Sequence, residues 1–322
     1  MYSIALISFC FIFLINYTFQ QGQGSFEVRE HSVTRPYASV FSTSNSNWDL
    51  TGNTIVTDKF IRLTPDVQSK AGGLWNRIPV YYPDWEMHVQ FKVFGEAKTL
   101  FGDGFVIWYV RDPKIAGPVY GSKDFFQGLA IVMDTYANRN DDYSRTFPYI
   151  SAIVNNGSLH YNHDDDGFNL TVASCESHFR GRDTDTLVAI RYQDNRLTVS
   201  TDTEGQNKWT ECFSIADINL PTHYYFGFSA ATGELSDNHD IISVHTYQLE
   251  SSEERRKEDR TGILPSAPTA NMGSDNNITS KPKGWSVLKI FAIVALLIIT
   301  ILVGVGILFY MKQRRYHSSR LY

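Results

Sequence analysis

The sequence lacks an excess of basic residues. Its 322 residues include 29 Lys and Arg against 34 Asp and Glu, which gives a formal net charge of −5. A protein that binds nucleic acid needs a basic surface for the phosphates, so we expect no nucleic-acid partner. Charged residues make up 20% of the chain and apolar residues 43%, and this balance argues against a chain that is disordered throughout.

Long amphipathic helical periods are missing from residues 26–250. In their place are short apolar or alternating segments separated by Gly, Asn and Asp. In the clearest one, Met87, Val89, Phe91 and Val93 alternate with polar residues, as in a half-buried strand. Many short strands with turn signals predict one all-β sandwich, and an aromatic content of 14% suits β-structure.

Two apolar runs near the ends of the chain predict its topology. Ile4–Leu14, followed by several Gln, is typical of a secretory signal peptide, which we assign to residues 1–24. The 22 residues between Lys289 and Lys312 carry no charge. As a helix they would extend about 33 Å, enough to cross a bilayer core. We therefore predict a transmembrane helix over residues 289–311.

The segments on either side of this predicted helix differ in character. Residues 251–288 combine a mixed charge cluster with Pro, Gly, Ser and Asn, as in a stalk or linker. Residues 312–322 are basic, which places them in the cytosol and everything upstream of the membrane in the lumen or outside the cell. The acidic charge is concentrated in residues 25–250, which contain 18 basic and 29 acidic residues, a net charge of −11.

Cysteine is scarce, with three residues in the whole chain. Cys10 would be removed with the signal peptide. Cys175 and Cys212 remain in an oxidising compartment, which predicts a disulfide between them. No C-x-x-C spacing supports a redox pair. On a secretory chain, the sequons at Asn156, Asn169 and Asn277 are glycosylation acceptors, and their exposure in the fold would decide which are used.

Two acidic segments offer hard oxygen ligands. Asp134, Tyr136 and Asn138 follow the apolar run Leu129–Met133, and a second group lies at residues 163–167 (His-Asp-Asp-Asp-Gly). The second group does not form an EF-hand, because the position of the bidentate Glu is Ala and no flanking helices are apparent. A Ca²⁺ site shared by the two segments and a pair of solvated acidic turns both remain open.

The triplet Gly102-Asp103-Gly104 precedes a predicted strand. The two glycines allow an unusual turn and leave the Asp103 carboxylate available to accept hydrogen bonds from sugar hydroxyls. By itself the triplet is a weak signal, because most Gly-Asp-Gly triplets are ordinary turns.

Several long stretches carry a resemblance to a known family. They are LTPDVQSKAGGLWN, DWEMHVQFKV, GDGFVIWYVRD, GPVYGSKDFFQGLAIVMDTYAN, FPYISAIVNNGSL and YYFGFSAATGELSDNHDIIS. From about Arg29 to Leu249 the sequence resembles the animal L-type lectins of the early secretory pathway, most closely the branch of vesicular integral membrane proteins. The resemblance implies a lumenal lectin domain over residues 25–250 with a legume-lectin-like jelly-roll β-sandwich that binds high-mannose N-glycans with Ca²⁺.

The resemblance also implies roles for individual residues. The implied Ca²⁺ contacts are Asp134, the Tyr136 carbonyl, Asn138 and Asp166, and the implied mannose contacts are Ser69, Asp103, Asn138, His163, Gly233, Glu234 and Leu235. The Cys175–Cys212 pair and glycosylation at Asn156 match the family as well. The chain departs from its relatives at Glu234, where they carry Asp, and in its terminal Leu321-Tyr322 pair, where they end in two aromatics.

These implications predict a function in transport rather than catalysis. We expect a cargo receptor or quality-control lectin in the membranes of the ER, the ER–Golgi intermediate compartment and the Golgi, with coat proteins as partners of the cytosolic tail. A lectin chaperone retained in the ER is the alternative, although its long Pro-rich arm is missing. A glycoside hydrolase is not expected, because no Glu-x-Asp-x-x-Glu lies on a strand. A further hypothesis is that acidification weakens glycan binding through His163 or the Ca²⁺ ligands.

Overall fold

Alternation of apolar and polar residues determines where the strands form. The computed structural model describes residues 25–41, 46–138 and 147–268. Its clearest case is the segment Trp85–Phe94, which is a strand in which every second side chain, from Trp85 to Val93, is buried. Fifteen strands are described, numbered β1 to β15 along the chain, and they form two antiparallel sheets.

The first sheet has eight strands. In spatial order seven of them are Thr210–Ile215 (β13), Arg196–Asp202 (β12), Thr186–Gln193 (β11), Trp85–Phe94 (β6), Asn238–Gln248 (β15), Ile61–Thr64 (β4) and Ile55–Val56 (β3), and Phe26–Glu27 (β1) pairs with β15.

The second sheet has seven strands. In spatial order they are Thr171–Glu176 (β10), Tyr149–Asn156 (β9), Gln127–Asp134 (β8), Gly104–Val110 (β7), Tyr225–Ala231 (β14), Ala71–Asn76 (β5) and Trp48–Gly52 (β2). The central strands β7, β8 and β9 are buried along almost their whole length.

Burial on both faces explains why these central strands are continuous apolar runs. One face packs on the eight-stranded sheet. The other face carries a second apolar cluster, in which Trp108 stacks on Trp75 at 6.4 Å and meets the edge of Phe126 at 5.0 Å. Loops therefore cover the outer face of this sheet, next to the end where the candidate functional residues lie.

The main core lies between the two sheets. Trp85 is at its centre, with ring centroids 5.0 Å from Phe226, 5.4 Å from Tyr109 and 5.9 Å from Tyr192. Each fully buried side chain of this size contributes about 1.5–3 kcal/mol of transfer free energy. The aromatic content of the sequence is thus used mainly to fill the sandwich.

Helices are few and short in the described residues. They are the α-helices Ala38–Phe41 (α1) and Glu253–Lys257 (α2) and 3-10 turns at Arg29–His31, His163–Asp165 and Phe168–Leu170. The prediction of an all-β sandwich is confirmed.

The disulfide Cys175–Cys212 is formed, with the two Cα atoms 5.5 Å apart. Cys175 lies on β10 and Cys212 on β13, which are edge strands of different sheets. The bond therefore joins the two layers of the sandwich at one side. On the chain-entropy model, closing a loop of this length stabilises the fold by about 3–4 kcal/mol.

The boundary between the domain and the predicted stalk differs from the sequence-based expectation. Residues 251–268 pack against the sandwich instead of leaving it at residue 251. Arg255 donates to the buried carboxylate of Asp84 at 2.7 Å, and Arg260, 2% exposed, donates to the Leu220 carbonyl at 3.0 Å. Any free linker therefore begins beyond residue 268.

The predicted signal peptide (1–24), the membrane segment (289–311) and the cytosolic tail (312–322) lie outside the described residues. Among the residues that are described, no helix is long and apolar enough to cross a membrane.

Candidate functional site

The register of the seven-stranded sheet brings three distant segments to one edge. Gly104, the first residue of β7, pairs with Asp134, the last residue of β8. Gly104 also pairs with Ala231, the last residue of β14. Asp103, Asp134 and the loop that begins after Ala231 are therefore neighbours, although up to about 130 residues separate them in the sequence.

Asp103 is held from both sides at this edge. Its carbonyl accepts hydrogen bonds from the backbone N–H and the hydroxyl of Thr135, both at 3.0 Å. Its carboxylate accepts a bond from the backbone N–H of Gly233. Partial burial raises the pKa of Asp103 to about 6, and the Gly233 bond opposes this rise. The peptide bond between Gly102 and Asp103 is cis. The bonds from Thr135 and Gly233 fix the Asp103 carboxylate in a position where it can accept bonds from hydroxyl groups.

The loop containing Gly233, Glu234 and Leu235 is held mainly by its backbone. The Gly233 carbonyl accepts from the backbone N–H of Ser69 at 3.1 Å, and the Glu234 carbonyl accepts from Gln68 Nε2 at 2.5 Å. Leu235 lies against Gly102. The side chains of Ser69 and Glu234 are exposed. Replacing Asp with Glu at position 234 therefore leaves the loop's backbone contacts in place.

A buried ion pair and a hydrogen-bonded aspartate hold the same loop in place. Arg180 makes a bidentate contact with Asp237, with both N–O distances 2.7 Å, and Asp237 is fully buried. Asp66 accepts from the Ser236 hydroxyl at 2.6 Å and from the Glu96 backbone N–H at 2.8 Å. The sequence analysis missed these supporting residues, because no local spacing shows that they pair.

The second half of the site is a pair of buried carboxylates. Asp134 is 3% exposed and Asp166 is 6% exposed. Asp134 accepts from the Tyr136 backbone N–H at 3.0 Å, and Asp166 accepts from the Asn138 backbone N–H at 3.1 Å. Burial, and then the negative charge of Asp166, raise the pKa of Asp134 well above its usual range. These two residues are therefore not solvated turns.

A cation suits this pair of carboxylates. Among the described residues no Lys, Arg or His forms an ion pair with Asp134, whose burial favours the neutral form unless a positive charge is bound. Asp134, Asp166, the Asn138 side chain and the Tyr136 carbonyl offer only oxygen ligands, which Ca²⁺ prefers. Within the described ranges, no cluster of three or more His, Cys, Asp or Glu could hold a metal. The candidate site thus has two carboxylates and otherwise neutral oxygens.

A tight turn sets the position of Asp166. Asp166 has φ +54° and Gly167 has φ +62°, both left-handed. A Cβ atom at Gly167 would lie 2.4 Å from the Tyr161 ring, so only glycine fits. The turn begins at Asn162, whose side chain accepts from the Asp164 backbone N–H at 3.1 Å. The Asp-Asp-Asp-Gly motif therefore buries only its third aspartate.

His163 is joined to this turn, because its carbonyl accepts from the Asp166 backbone N–H at 3.1 Å. Its half-buried ring lies 4.7 Å from the Tyr161 ring and 6.0 Å from the Tyr120 ring. Burial lowers the pKa of His163, although a bond to the Pro118 backbone opposes this. The lowered pKa favours the neutral imidazole near neutral pH.

Two further residues shape the site and were not singled out from the sequence. Thr135 ties Asp134 to Asp103 through its two bonds to the Asp103 carbonyl. Tyr120 is buried and hydrogen-bonds the Asp134 carboxylate. The only sequence signal for Thr135 was its position within the Asp-Thr-Tyr-Ala-Asn segment that follows the buried run Leu129–Met133. Tyr120 lies in a separate loop and gave none.

The sequons differ in their surroundings. Asn156 is exposed at the end of β9, and its Oδ1 accepts from the Ser158 hydroxyl at 2.6 Å. The amide nitrogen of Asn169 donates to Asp165 at 2.9 Å within the acidic turn. Asn277 lies outside the described residues. The predicted glycosylation of Asn156 remains a prediction, with an exposed side chain in its favour.

Comparisons with known proteins agree with this architecture. A model of the Legume-like lectin family matches residues 25–256. The vesicular integral-membrane protein VIP36 of Canis lupus familiaris is 48% identical over 304 residues, covering 91% of this chain and 85% of its own length. The VIP36-like protein of Homo sapiens is 42% identical over 299 residues, with the same two coverages.

A solved structure gives the same result for the fold. The crystal structure of the VIP36 exoplasmic/lumenal domain in its Ca²⁺/Man2-bound form matches with a TM-score of 0.72 and 52% identity, covering 75% of this chain and 98% of that chain. These matches confirm the predicted resemblance and the prediction that the chain is a lectin rather than an enzyme. The chain therefore belongs to the legume-like lectin family.

Proposed function

We propose that this protein is a calcium-dependent lectin that binds high-mannose N-glycans on glycoproteins and acts as a cargo receptor or quality-control lectin in ER–Golgi transport. The observation that carries the proposal is the convergence of Asp103, the buried Asp134–Asp166 pair and the loop of residues 233–235 at one edge of the seven-stranded sheet. Support also comes from VIP36, whose lumenal domain has been crystallised with Ca²⁺ and Man2.

In this proposal Asp103 is the main acceptor of sugar hydroxyl bonds. Its carboxylate is held by Gly233 and its backbone by Thr135 before a ligand arrives. A pre-positioned acceptor reduces the ordering cost of binding a polar ligand that contributes little apolar area. Asn138, His163, Ser69 and the backbone of the 233–235 loop would supply the remaining contacts.

Ca²⁺ would be held by Asp134, Asp166, Asn138 and the Tyr136 carbonyl. When bound, the ion offsets the repulsion between the two buried carboxylates. Asn138 is exposed, and its backbone N–H donates to Asp166. Fixing Asp166 therefore also fixes the segment that presents the Asn138 side chain. In this way the metal would order the sugar site without needing to touch the sugar.

Transport rather than retention is the preferred role. VIP36 is named a vesicular integral-membrane protein, and the present sequence carries a predicted transmembrane helix followed by a short basic tail. Coat proteins would bind that tail. A chaperone with a protein-binding arm is less well supported, because the described loops between strands contain no long Pro-rich insertion.

A glycan array with the full-length chain in detergent tests the lectin proposal. We expect binding to oligomannose glycans that is lost with a calcium chelator and in Asp103→Asn. Asp112→Asn is the matched control, because Asp112 follows the other end of the same strand, β7, and lies far from the site in the register. Oligomannose binding that survives both chelation and Asp103→Asn would contradict the proposed site.

A further inference from the structure

A second polar region lies on the outer face of the eight-stranded sheet. It is a cleft of about 560 Å³, within the usual size range of ligand sites. Five cationic side chains line it: Arg35, Lys59, Lys92, Lys98 and Arg182. They come from five separate segments, namely the N-terminal loop, the turn before β4, strand β6, the loop after β6 and the loop before β11.

Most of this positive charge is not compensated locally. Two carboxylates also line the cleft. Asp240 is neutralised by a bidentate contact from Arg62, at 2.7 and 2.8 Å, and Asp185 accepts from Gln90 at 3.0 Å. Of the five lining cations, only Arg182 forms an ion pair within the described part of the chain, and its partner is Glu204.

The cleft contrasts with the rest of the domain. Residues 25–250 carry a net charge of −11, so an anionic partner is repelled in general. Screening limits charge effects to about 8 Å at physiological ionic strength. An anion that reaches the cleft therefore meets mainly the local cations.

Two aromatic side chains also contribute to the lining of the cleft. Phe60 and Phe94 line it, and the Arg62 guanidinium lies over both rings, at 4.5 and 5.5 Å. A ligand that fits has negative groups spread over several ångströms and apolar parts between them. A single compact anion cannot contact cations from five segments around an open cleft, whereas an extended chain can.

The type of cation favours carboxylates as the anionic groups. The two lining guanidinium groups, the type that binds phosphate and sulfate best, already have partners: Arg182 holds Glu204 and the Thr203 carbonyl, and Arg35 hydrogen-bonds the Tyr37 side chain. Lys59 and Lys98 remain exposed and free of ion pairs among the described residues. Flexible ammonium groups suit carboxylates whose positions vary along a chain.

The cleft lies next to the residues that hold the loop of the candidate glycan site in place. Gly95 lines the cleft, and a Cβ atom at this position would lie 2.4 Å from Asp237 and 2.9 Å from Asp66. Asp66 and Asp237 are the residues that hold the loop at 233–237. One glycoprotein could therefore reach both regions.

We infer that this cleft binds an acidic polypeptide segment, a run of Asp and Glu side chains with apolar neighbours. Binding of such a segment needs only the cleft. The further statement that this acidic segment belongs to the glycoprotein bound at the glycan site rests on the proposed function. The lectin would then select cargo by protein sequence as well as by glycan.

A labelled peptide of about ten glutamates, followed by fluorescence anisotropy, tests the inference on the full-length chain in detergent. The variant is Lys59→Glu with Lys98→Glu. The control is Lys114→Glu with Lys208→Glu, which changes the net charge equally at residues that do not line the cleft. We expect about tenfold weaker binding in the cleft variant and less than about twofold change in the control, with binding weakened by salt.

Three results would overturn the inference: no binding of the peptide at low salt, equal loss in both variants, or binding of a sulfated oligosaccharide or inorganic phosphate in place of the peptide. Oligomannose binding is measured on the same proteins. The cleft variant should retain it, and Asp103→Asn should lose it while keeping the peptide. If the wild type binds peptide but no oligomannose, the proposed function fails and the acidic-segment site stands.

Discussion

The carboxylates of Asp134 and Asp166 are buried near each other, and the negative charge of Asp166 raises the pKa of Asp134. The two residues come from segments that are about 30 positions apart in the sequence. Two neighbouring buried carboxylates destabilise a fold unless a cation or protons compensate them. If the proposed calcium site is occupied, the ion would stabilise the domain as well as order its ligand site.

Calcium should therefore raise the melting temperature of the full-length chain. At a free concentration 100 times the Kd, the stabilisation is about 2.7 kcal/mol. Asp134→Asn should remove the calcium response. In the presence of chelator this variant should be at least as stable as the wild type, because it no longer opposes Asp166. Differential scanning fluorimetry with and without chelator measures both effects. A calcium response that persists in Asp134→Asn would disprove the assigned ligand.

Oligomannose affinity should fall when the pH drops below about 6 at saturating calcium. The pKa of Asp103 is raised to about 6, and only the ionised carboxylate accepts two hydroxyl bonds. The affinity is therefore full well above pH 6 and falls about tenfold at pH 5, where roughly a tenth of the groups is ionised. Titration calorimetry at several pH values measures this. An affinity that is constant from pH 7.5 to 5 is incompatible with the role of Asp103.

His163→Gln separates the two sources of pH dependence. Burial lowers the pKa of His163, so its protonation is shifted to lower pH than that of an ordinary histidine. We expect the decline in affinity near pH 6 to persist in this variant. If the decline disappears, His163 and not Asp103 is the titrating group.

Arg255→Ala should destabilise the domain by about 3 kcal/mol. The Asp84 carboxylate is fully buried, and Arg255 Nε lies 2.7 Å from its Oδ1. Removing one partner of a buried ion pair leaves an uncompensated charge. Arg256→Ala is the control, because the neighbouring Arg256 side chain is exposed. Urea unfolding followed by tryptophan fluorescence compares the two. Equal midpoints for both variants would show that the Arg255–Asp84 ion pair does not contribute to stability.

Acid should destabilise the domain partly through His239. This ring is 1% exposed, and burial together with the Arg180 charge lowers its pKa to about 3. The unfolded chain takes up the proton near pH 6.5, whereas the folded chain does not. The stability contributed by neutral His239 is therefore full above pH 6.5 and decreases by about 1.4 kcal/mol per pH unit as the pH falls towards 3.

In His239→Gln the free energy of unfolding should consequently decrease less steeply between pH 6 and 4. The slope should correspond to the uptake of about one proton fewer on unfolding. The measurement is urea unfolding at several pH values with chelator present, so that calcium release does not contribute. His178→Gln, at an exposed position, should leave the slope unchanged. An unaltered slope in His239→Gln would mean that this histidine is not the group that binds the proton on unfolding.

Sequence patterns predicted the sandwich well where burial follows a simple rule. The alternation in Trp85–Phe94 is a strand buried on one face, and the run Leu129–Met133 lies in a strand buried on both. Both patterns reflect the period-two geometry of strands and need no knowledge of distant residues. The disulfide was also predictable, because Cys10 lies in the predicted signal peptide and only two cysteines are left for the predicted lumenal domain.

Contacts between distant segments were not predictable in the same way. The composition predicted that the stalk begins at residue 251. In the structure Arg255 instead binds Asp84 of the sandwich, which lies about 170 residues earlier in the sequence. The Arg180–Asp237 pair supports the candidate glycan site and has no local signature. The site residues themselves came from the resemblance more than from spacing, since a Gly-Asp-Gly triplet and an acidic run each have ordinary explanations.

The most direct test is the affinity of the full-length chain for a high-mannose oligosaccharide, measured by titration calorimetry with and without calcium in the wild type, Asp134→Asn and Asp112→Asn. We predict calcium-dependent binding in the wild type and in Asp112→Asn, and loss of binding in Asp134→Asn. Binding in Asp134→Asn that equals the wild type, or wild-type binding that is unchanged by chelator, would contradict a calcium-ordered glycan site at Asp103, Asp134 and Asp166.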